Sequence, residues 1–520
     1  MPIMVAGHDI GTRIALPDDP TMEDALLQAA LPPEAAAQFS NVKLPFSLRP
    51  HQIVSLRALL AWNRAGLFDE ARTGKSPVMQ LASIYLGKYG IKSLFLMPPV
   101  LFDQFTESFS KISNHGMYVH VLNNPAKSRE RILEEIAHGY SPVNALIMTK
   151  EIFKINLLDI MSAGFQALFF DECHLGLQKA ATRTRQGART TYAAVKYFVD
   201  HVQDSRLVLA TGTPVCNELI GTYPIISLKS PTAYLSEDDF NGTHVTYKQL
   251  KIRTPKGDRH IMVPDTNGYM QVGLLTRNLH HQAVRARKLD VLDIQRPNLQ
   301  EIPVTLHRGH YQLYRRVMQE KILEIGTKLI DARNASKLRA FAMQLITDPG
   351  IAYKPAPPNA VMEAVQVLFD TVDVKHNKVL LFANFNASVE ILAKTFEKLN
   401  PAVVYGPNGP TRNQAEVKKF RTNKDCRILV ANPQAGGVGL TLGDVAQTVI
   451  FVEPVSTPGA FDQASSRVIL SGQTEPVVIY FLRVNNTLSK RAIEVMLGRA
   501  QQAKEVQLDH QSMLDDLLGV

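Results

Sequence analysis

Cysteine is scarce in this chain: Cys173, Cys216 and Cys426 are the only three in 520 residues, and they lie far apart. That scarcity excludes a disulfide framework and a cysteine-based zinc site, and it suits a reducing compartment. No apolar run approaches the roughly 20 residues that a membrane-crossing helix needs. The start, Met1-Pro2-Ile3-Met4-Val5-Ala6-Gly7-His8-Asp9, lacks the basic opening of a secretory signal. A cytoplasmic protein with no membrane partner is therefore expected. Acidic side chains are outnumbered, 48 against 57 basic ones, for a net charge of +9. The excess permits a polyanionic partner without requiring one. Low-complexity tracts and repeats of solenoid period are absent too. What remains, 45% hydrophobic and 20% charged, describes a globular chain too long for a single core.

The run Asp69-Glu70-Ala71-Arg72-Thr73-Gly74-Lys75-Ser76 carries the strongest local chemistry. Backbone N–H groups at a helix N-terminus point at phosphate oxygens, where the helix dipole already favours negative charge. Lys75 is the candidate cation for the β- and γ-phosphates of ATP, with Thr73 and Gly74 in the cradle. Ser76 is the candidate hydroxyl for Mg²⁺. A standard phosphate loop has a glycine five positions before Gly74, where this chain has Asp69.

Short apolar runs alternate with stretches of helical length. Ser93 to Val100, Ala145 to Thr149, Ala167 to Phe170 and Arg206 to Ala210 are followed in the second half by Lys378 to Ala383, Ala402 to Tyr405, Arg427 to Ala431, Thr448 to Val452 and Val477 to Leu482. Wholly apolar strands separated by helices predict parallel sheets covered on both faces, here as two α/β lobes. Residues 1–45 are expected to be a poorly specified extension, 46–230 the first lobe, 231–300 an insertion and helical linker, 301–510 the second lobe and 511–520 a tail. Little periodicity is evident in 231–275. Helices are predicted for 276–345, with His280 and His281 on a solvated basic face, and Trp62 is read as a packing residue.

Phe169-Phe170-Asp171-Glu172-Cys173-His174 ends one of the apolar runs, and strand ends are where open α/β sheets bind ligands. Asp171 is the candidate Mg²⁺ partner and Glu172 the candidate for orienting the attacking water. Leu48-Arg49-Pro50-His51-Gln52 offers an amide able to donate to and accept from one adenine edge. Thr211-Gly212-Thr213-Pro214 offers hydroxyls at a further strand end.

In this order and spacing the segments resemble helicase superfamily two ATPases, and most closely those of the Swi/Snf type. Asp69 to Ser76 is similar to the family form Asp-Glu-x-Gly-x-Gly-Lys-Thr. Leu48 to Gln52, Asp171 to His174, and Thr211 to Val215 with Asn217 resemble its adenine, Walker B and coupling motifs. Gln434-Ala435-Gly436-Gly437-Val438-Gly439-Leu440-Thr441 resembles motif V, and Gln463 to Thr474 motif VI. Val284 to Leu292 is similar to the family's basic stretch before the second lobe.

The resemblance implies two tandem RecA-like lobes of the P-loop NTPase class that hydrolyse ATP with Mg while tracking duplex DNA. It implies nucleotide contacts from Arg49, Gln52, Gly439 and Gln463, and a transition-state contact from Arg467. It implies nucleic-acid contacts from Thr149, Lys179, Arg183, Arg185 and Thr441, with Arg189 and Pro98-Pro99 nearby. Leu470 stands where the family carries a second arginine. The chain shows no accessory module, so a stand-alone engine of bacterial or phage type is expected. Two other readings stay open: a strand-separating DNA or RNA helicase, and an ATP-responsive nucleic-acid-binding protein that hydrolyses weakly.

Overall fold

The computed structural model describes residues 3–5, 8–10, 20–180, 189–254, 257–320, 322–325, 328–331, 335–433, 442–455, 457–473 and 475–507. Among the described residues the chain divides into two compact units, one of residues up to Leu292 together with 505–507 and one of 293–504.

The first unit is built on a seven-stranded sheet. Its strands are β1 (Arg64–Leu67), β2 (Lys92–Leu96), β3 (Val119–Val121), β4 (Ala145–Met148), β5 (Phe165–Phe170), β6 (Arg206–Ala210) and, beyond a hairpin of β7 (Val245–Thr254) and β8 (Gly257–Tyr269), β9 (Ala283–Val284). They lie in the order β9-β1-β6-β5-β2-β4-β3, and every pairing in the sheet is parallel. The apolar runs become these strands because helices bury both faces, which removes any need for polar alternation. Phe95 and Phe169 on neighbouring strands stack with ring centroids 4.9 Å apart, and Phe105 and Phe109 pack beside Phe95. Burying each such ring contributes about 1.5–3 kcal/mol.

Two helices flank the site: α1 (Pro50–Ala61) and α2 (Lys75–Lys88). Trp62 ends α1 and packs against the core, as the sequence suggested. The expected loose N-terminal extension is corrected from Pro20 onward. A capping box at Thr21 starts the helix Met22–Gln28. Met22, Leu26, Phe39, Val42 and Leu44 then bury themselves in the same core as α1 and α2.

The second unit carries β10 (Asn298–Val304), β11 (Val379–Phe382), β12 (Ala402–Val404), β13 (Ile428–Ala431), β14 (Thr448–Phe451) and β15 (Val478–Val484). Its order is β10-β15-β14-β11-β13-β12, again with every pairing parallel. The two-lobe parallel-sheet expectation therefore holds. The expectation of helices alone over 276–345 does not, because Ala283–Val284 adds to the first sheet and Asn298–Val304 to the second.

Beyond β14, Glu453 is buried and accepts hydrogen bonds from Thr347 Oγ1 at 2.7 Å, Ser388 Oγ at 2.6 Å, and the backbone N–H groups of Asn384 at 2.7 Å and Phe385 at 3.3 Å. The last two donors precede the helix Asn386–Thr395, so the carboxylate closes that helix start.

Candidate active site

In the first sheet β1, β6 and β5 are adjacent and parallel, so the loops leaving their C-terminal ends meet at one edge. The loop after β1 runs from Asp69 to Gly74, where φ is +94° and α2 begins. Only glycine suits that position. A Cβ there would meet Gln52 Nε2 at 2.2 Å, besides requiring the left-handed conformation.

Two side chains of α1 brace the turn. His51 Nε2–H donates to Thr73 O at 2.8 Å, and Gln52 Nε2 donates to Gly74 O at 3.0 Å. Gln52 Oε1 accepts the N–H of Arg49 at 2.8 Å, while the Arg49 side chain is exposed. Both ends of the Gln52 amide are thus engaged with backbone, and reading a base edge requires it to release one of them. Thr73 is buried with its hydroxyl on Glu70 O at 2.8 Å. Lys75 Nζ donates to Asp69 O at 2.8 Å and Glu70 O at 3.0 Å, and Ser76 is half-exposed in the first turn of α2.

Asp69 and Glu70 anchor a second segment, which the sequence placed in the linker. Ser55 Oγ and the N–H of Ala286 donate to the two Asp69 carboxylate oxygens at 2.9 and 2.7 Å. The N–H of Glu70 donates to Ala286 O at 2.9 Å, and the N–H of Lys288 donates to Glu70 Oε2 at 2.9 Å. Arg285 Nη1 donates to Phe68 O at 2.9 Å and Gly212 O at 3.3 Å, and its guanidinium lies 3.7 Å from Glu70. One arginine therefore ties together the loops after β1 and β6 and the strand β9. Burial holds the Asp69 carboxyl above its ordinary range against the pull of Lys75 and His51.

After β5, Asp171 is buried and Glu172 is partly exposed. Burial and the Glu172 charge push the Asp171 carboxyl up to about 7, with the Lys75 ammonium pulling the other way. Glu172 sits at φ +48°, a left-handed conformation that is strained for a side-chain-bearing residue. His174 is buried, with Nδ1 2.8 Å from Thr211 Oγ1 and 3.4 Å from Glu172 Oε2. Burial, with the Lys75 and Lys150 charges, lowers its pKa to about 4, so the imidazole is neutral at pH 7. The His174–Thr211 contact links the loop after β5 to the one after β6. There the Thr213 Oγ1 hydroxyl is buried with no hydrogen-bond partner among the described residues.

These features fit a nucleoside triphosphate and Mg²⁺. Gly74 gives α2 no side-chain cap, and no acidic residue stands in its first turn, which leaves N–H groups for phosphate. The orphaned Thr213 hydroxyl fits a polar ligand. Ser76, Asp171 and Glu172 are hard oxygen donors, and no cluster of three or more potential ligands occurs among the described residues. Oxygen donors of this kind suit a hard cation that keeps several waters and phosphate oxygens.

In the second unit Gln463 lies on the helix Pro458–Ser465, and Arg467 follows it, half-buried, with its carbonyl accepting the N–H of Leu442 at 2.8 Å. Gln473 pins this turn: it accepts the N–H of Leu470 at 2.8 Å and donates to Val468 O at 2.8 Å and Gly443 O at 3.0 Å. Leu470 packs against Gly443, where an added Cβ would come within 2.7 Å of Leu470 Cγ.

Of the nucleic-acid candidates, Lys179 is exposed. Thr149 caps the helix Lys150–Ile155 by accepting the N–H of Ile152 at 3.2 Å, and Arg189 lies 4.9 Å over the Tyr197 ring. Arg183, Arg185, Gly439 and Thr441 lie outside the described residues, as does the whole of motif V, residues 434–441. Sequence reasoning missed Arg285, Gln473 and Glu453 as organisers. Arg285 lay in the basic stretch and Gln473 in the motif VI segment, whereas Glu453 carried no signal.

Residues 361–472 match the family described as the helicase conserved C-terminal domain. The chain is 22% identical over 489 residues to an uncharacterised ATP-dependent helicase of Mycoplasma pneumoniae, covering 91% of this chain and 42% of that one. It is 23% identical over 490 residues to the chromodomain-helicase-DNA-binding protein 1-like of Danio rerio, covering 87% and 43%. It is 20% identical over 353 residues to the chromatin remodeling factor mit1 of Schizosaccharomyces pombe, covering 62% and 23%. The chain thus spans less than half the length of these relatives. No described helix is long and apolar enough to cross a membrane.

Proposed function

We propose that this chain, a Swi/Snf-type member of helicase superfamily two, is an ATP-hydrolysing motor that tracks duplex DNA. The observation that carries the reading is the convergence at one sheet edge of the Gly74–Lys75 helix start, the Asp171–Glu172 pair and the Thr211–Thr213 turn. Lys75 and the first-turn N–H groups of α2 hold the phosphates. Ser76 and Asp171 hold Mg²⁺, which supplies charge neutralisation on the transferring phosphoryl group. Glu172 orients the attacking water and takes its proton. His174 passes the state of that loop to Thr211, and Arg285 carries it onward to β9. Arg467 meets the charge that develops in the transition state, and Gln463 and Gly439 add nucleotide contacts. Thr149, Lys179, Arg183, Arg185 and Thr441 contact the DNA backbone, without base readout.

The similarity to a relative named as DNA-binding and the net charge of +9 support DNA as the partner. Titration with a fluorescent ATP analogue and Mg²⁺ tests the nucleotide assignment. Lys75→Ala weakens binding by more than tenfold, and equal binding by the variant contradicts it.

One observation favours a second reading, an ATP-responsive binding protein with slow turnover. Leu470 packs against Gly443 where the family form has an arginine. Single-turnover hydrolysis separates the two readings, because the slow reading leaves bound ATP intact on the timescale of DNA release. Efficient displacement of an annealed strand would instead favour a helicase.

A further inference from the structure

The stretch 231–275, which shows little periodicity, contains the antiparallel hairpin β7–β8. Its base is locked. His244 is fully buried; its Nε2 lies 2.6 Å from Tyr234 OH, and its Nδ1 donates to Met270 O at 3.0 Å. Asn278 Nδ2 donates to the same Tyr234 hydroxyl at 2.9 Å, and the Tyr223, Tyr234 and Phe240 rings pack on one another edge to face or tilted. Val245 pairs with Tyr269 directly above this cluster.

The shaft is the opposite. Tyr247, Lys248, Gln249, Leu250 and Lys251 are all exposed in succession, as are Arg259, His260, Met262 and Pro264 on the facing strand. Consecutive strand residues point to opposite faces, so both faces meet solvent. Tyr247 and Leu250 are each 47% exposed and Met262 61%. A two-stranded ribbon with neither face covered is marginal by itself, yet a strand of ten residues reaches on the order of 30 Å from a rigid root. Its chemistry favours a polyanion: among the residues whose side chains are described, Lys248, Lys251 and Arg259 stand against Asp265. Lys248 already pairs with Asp265 at 2.9 Å.

We propose that the β7–β8 ribbon is a docking element for duplex nucleic acid, lying in a groove with Lys251 and Arg259 against the phosphates. A two-stranded ribbon fits the major groove of B-form DNA, and exposed Tyr247 and Met262 supply apolar contact to sugars and base edges. The proposal rests on the motor reading for its partner class, but it assigns residues that the helicase motifs do not contain.

The test compares wild type, Lys251→Ala/Arg259→Ala and a control, Lys127→Ala/Lys398→Ala, which removes the same charge from exposed positions elsewhere. Anisotropy titrations with a fluorescent duplex across a salt series give affinity and its salt slope, and ATP hydrolysis without DNA reports folding. The ribbon variant binds more weakly and its log–log slope is shallower by about 1.8, at roughly 0.9 per lost phosphate contact. Its DNA-independent hydrolysis stays at the wild-type rate, and the control keeps the wild-type slope. If wild type binds duplex and the ribbon variant matches it, or matches the control, the ribbon proposal is overturned while the motor reading stands. If wild type binds no nucleic acid, both fall.

Discussion

The backbone N–H of Ala286 donates to the Asp69 carboxylate at 2.7 Å, joining a residue of the β9 segment to the first residue of the loop after β1. Ser55 Oγ holds the other carboxylate oxygen at 2.9 Å. Asp69→Ala leaves two buried donors unpaired and is expected to cost about 2–4 kcal/mol, read as a lower urea midpoint. An unchanged midpoint would show that the contact contributes nothing.

Arg285 reaches Phe68 O, Gly212 O and Glu70 at once. Lysine cannot reproduce that fork. Arg285→Lys should therefore weaken ATP-analogue binding severalfold even though the charge is kept. Recovery of wild-type affinity by lysine would reduce the residue to a point charge.

Glu172 and Arg467 are assigned to the chemical step and not to binding. Glu172→Gln and Arg467→Ala are expected to lower kcat by about a hundredfold or more while ATP-analogue affinity stays within about threefold. A loss of affinity as large as the loss of kcat would reassign either residue to nucleotide binding.

The Asp171 carboxyl stands at about 7 rather than near 3.8. Its folded pKa is raised, so this group favours the folded state below about pH 4 and the advantage is lost as pH climbs through 7. Metal binding needs the ionised form. Mg²⁺ affinity measured calorimetrically should therefore rise between pH 6 and pH 8, and Asp171→Asn should abolish both the affinity and its pH dependence.

Glu453 takes four hydrogen bonds in a buried site. Glu453→Ala strands all four donors and should destabilise the second unit by at least about 3 kcal/mol, seen as a lower thermal midpoint. Glu453→Gln keeps an acceptor and should lose less.

The sheets were readable because fully buried parallel strands appear as bare apolar runs, such as Ala167 to Phe170. The segments at their ends were readable because Asp69 to Ser76 and Asp171 to His174 keep the residue types and spacing of the family form. Ala283–Val284 was not readable, since two residues carry no period and their strand exists only through β1. The β7–β8 ribbon escaped because both of its faces meet solvent, which removes the apolar–polar alternation that marks a half-buried strand. Arg285 and Glu453 act through partners distant in sequence, and no local pattern encodes such contacts; Gln473 joins its near neighbours Val468 and Leu470 to the distant Gly443. Gln52 had the predicted place but a different immediate task, bracing Gly74.

Steady-state ATP hydrolysis measured with and without duplex DNA, with Glu172→Gln as control, tests the motor most directly. The account predicts turnover that rises at least about tenfold on duplex DNA and is abolished in the variant. Turnover that is unaffected by DNA, or equal in wild type and variant, contradicts it.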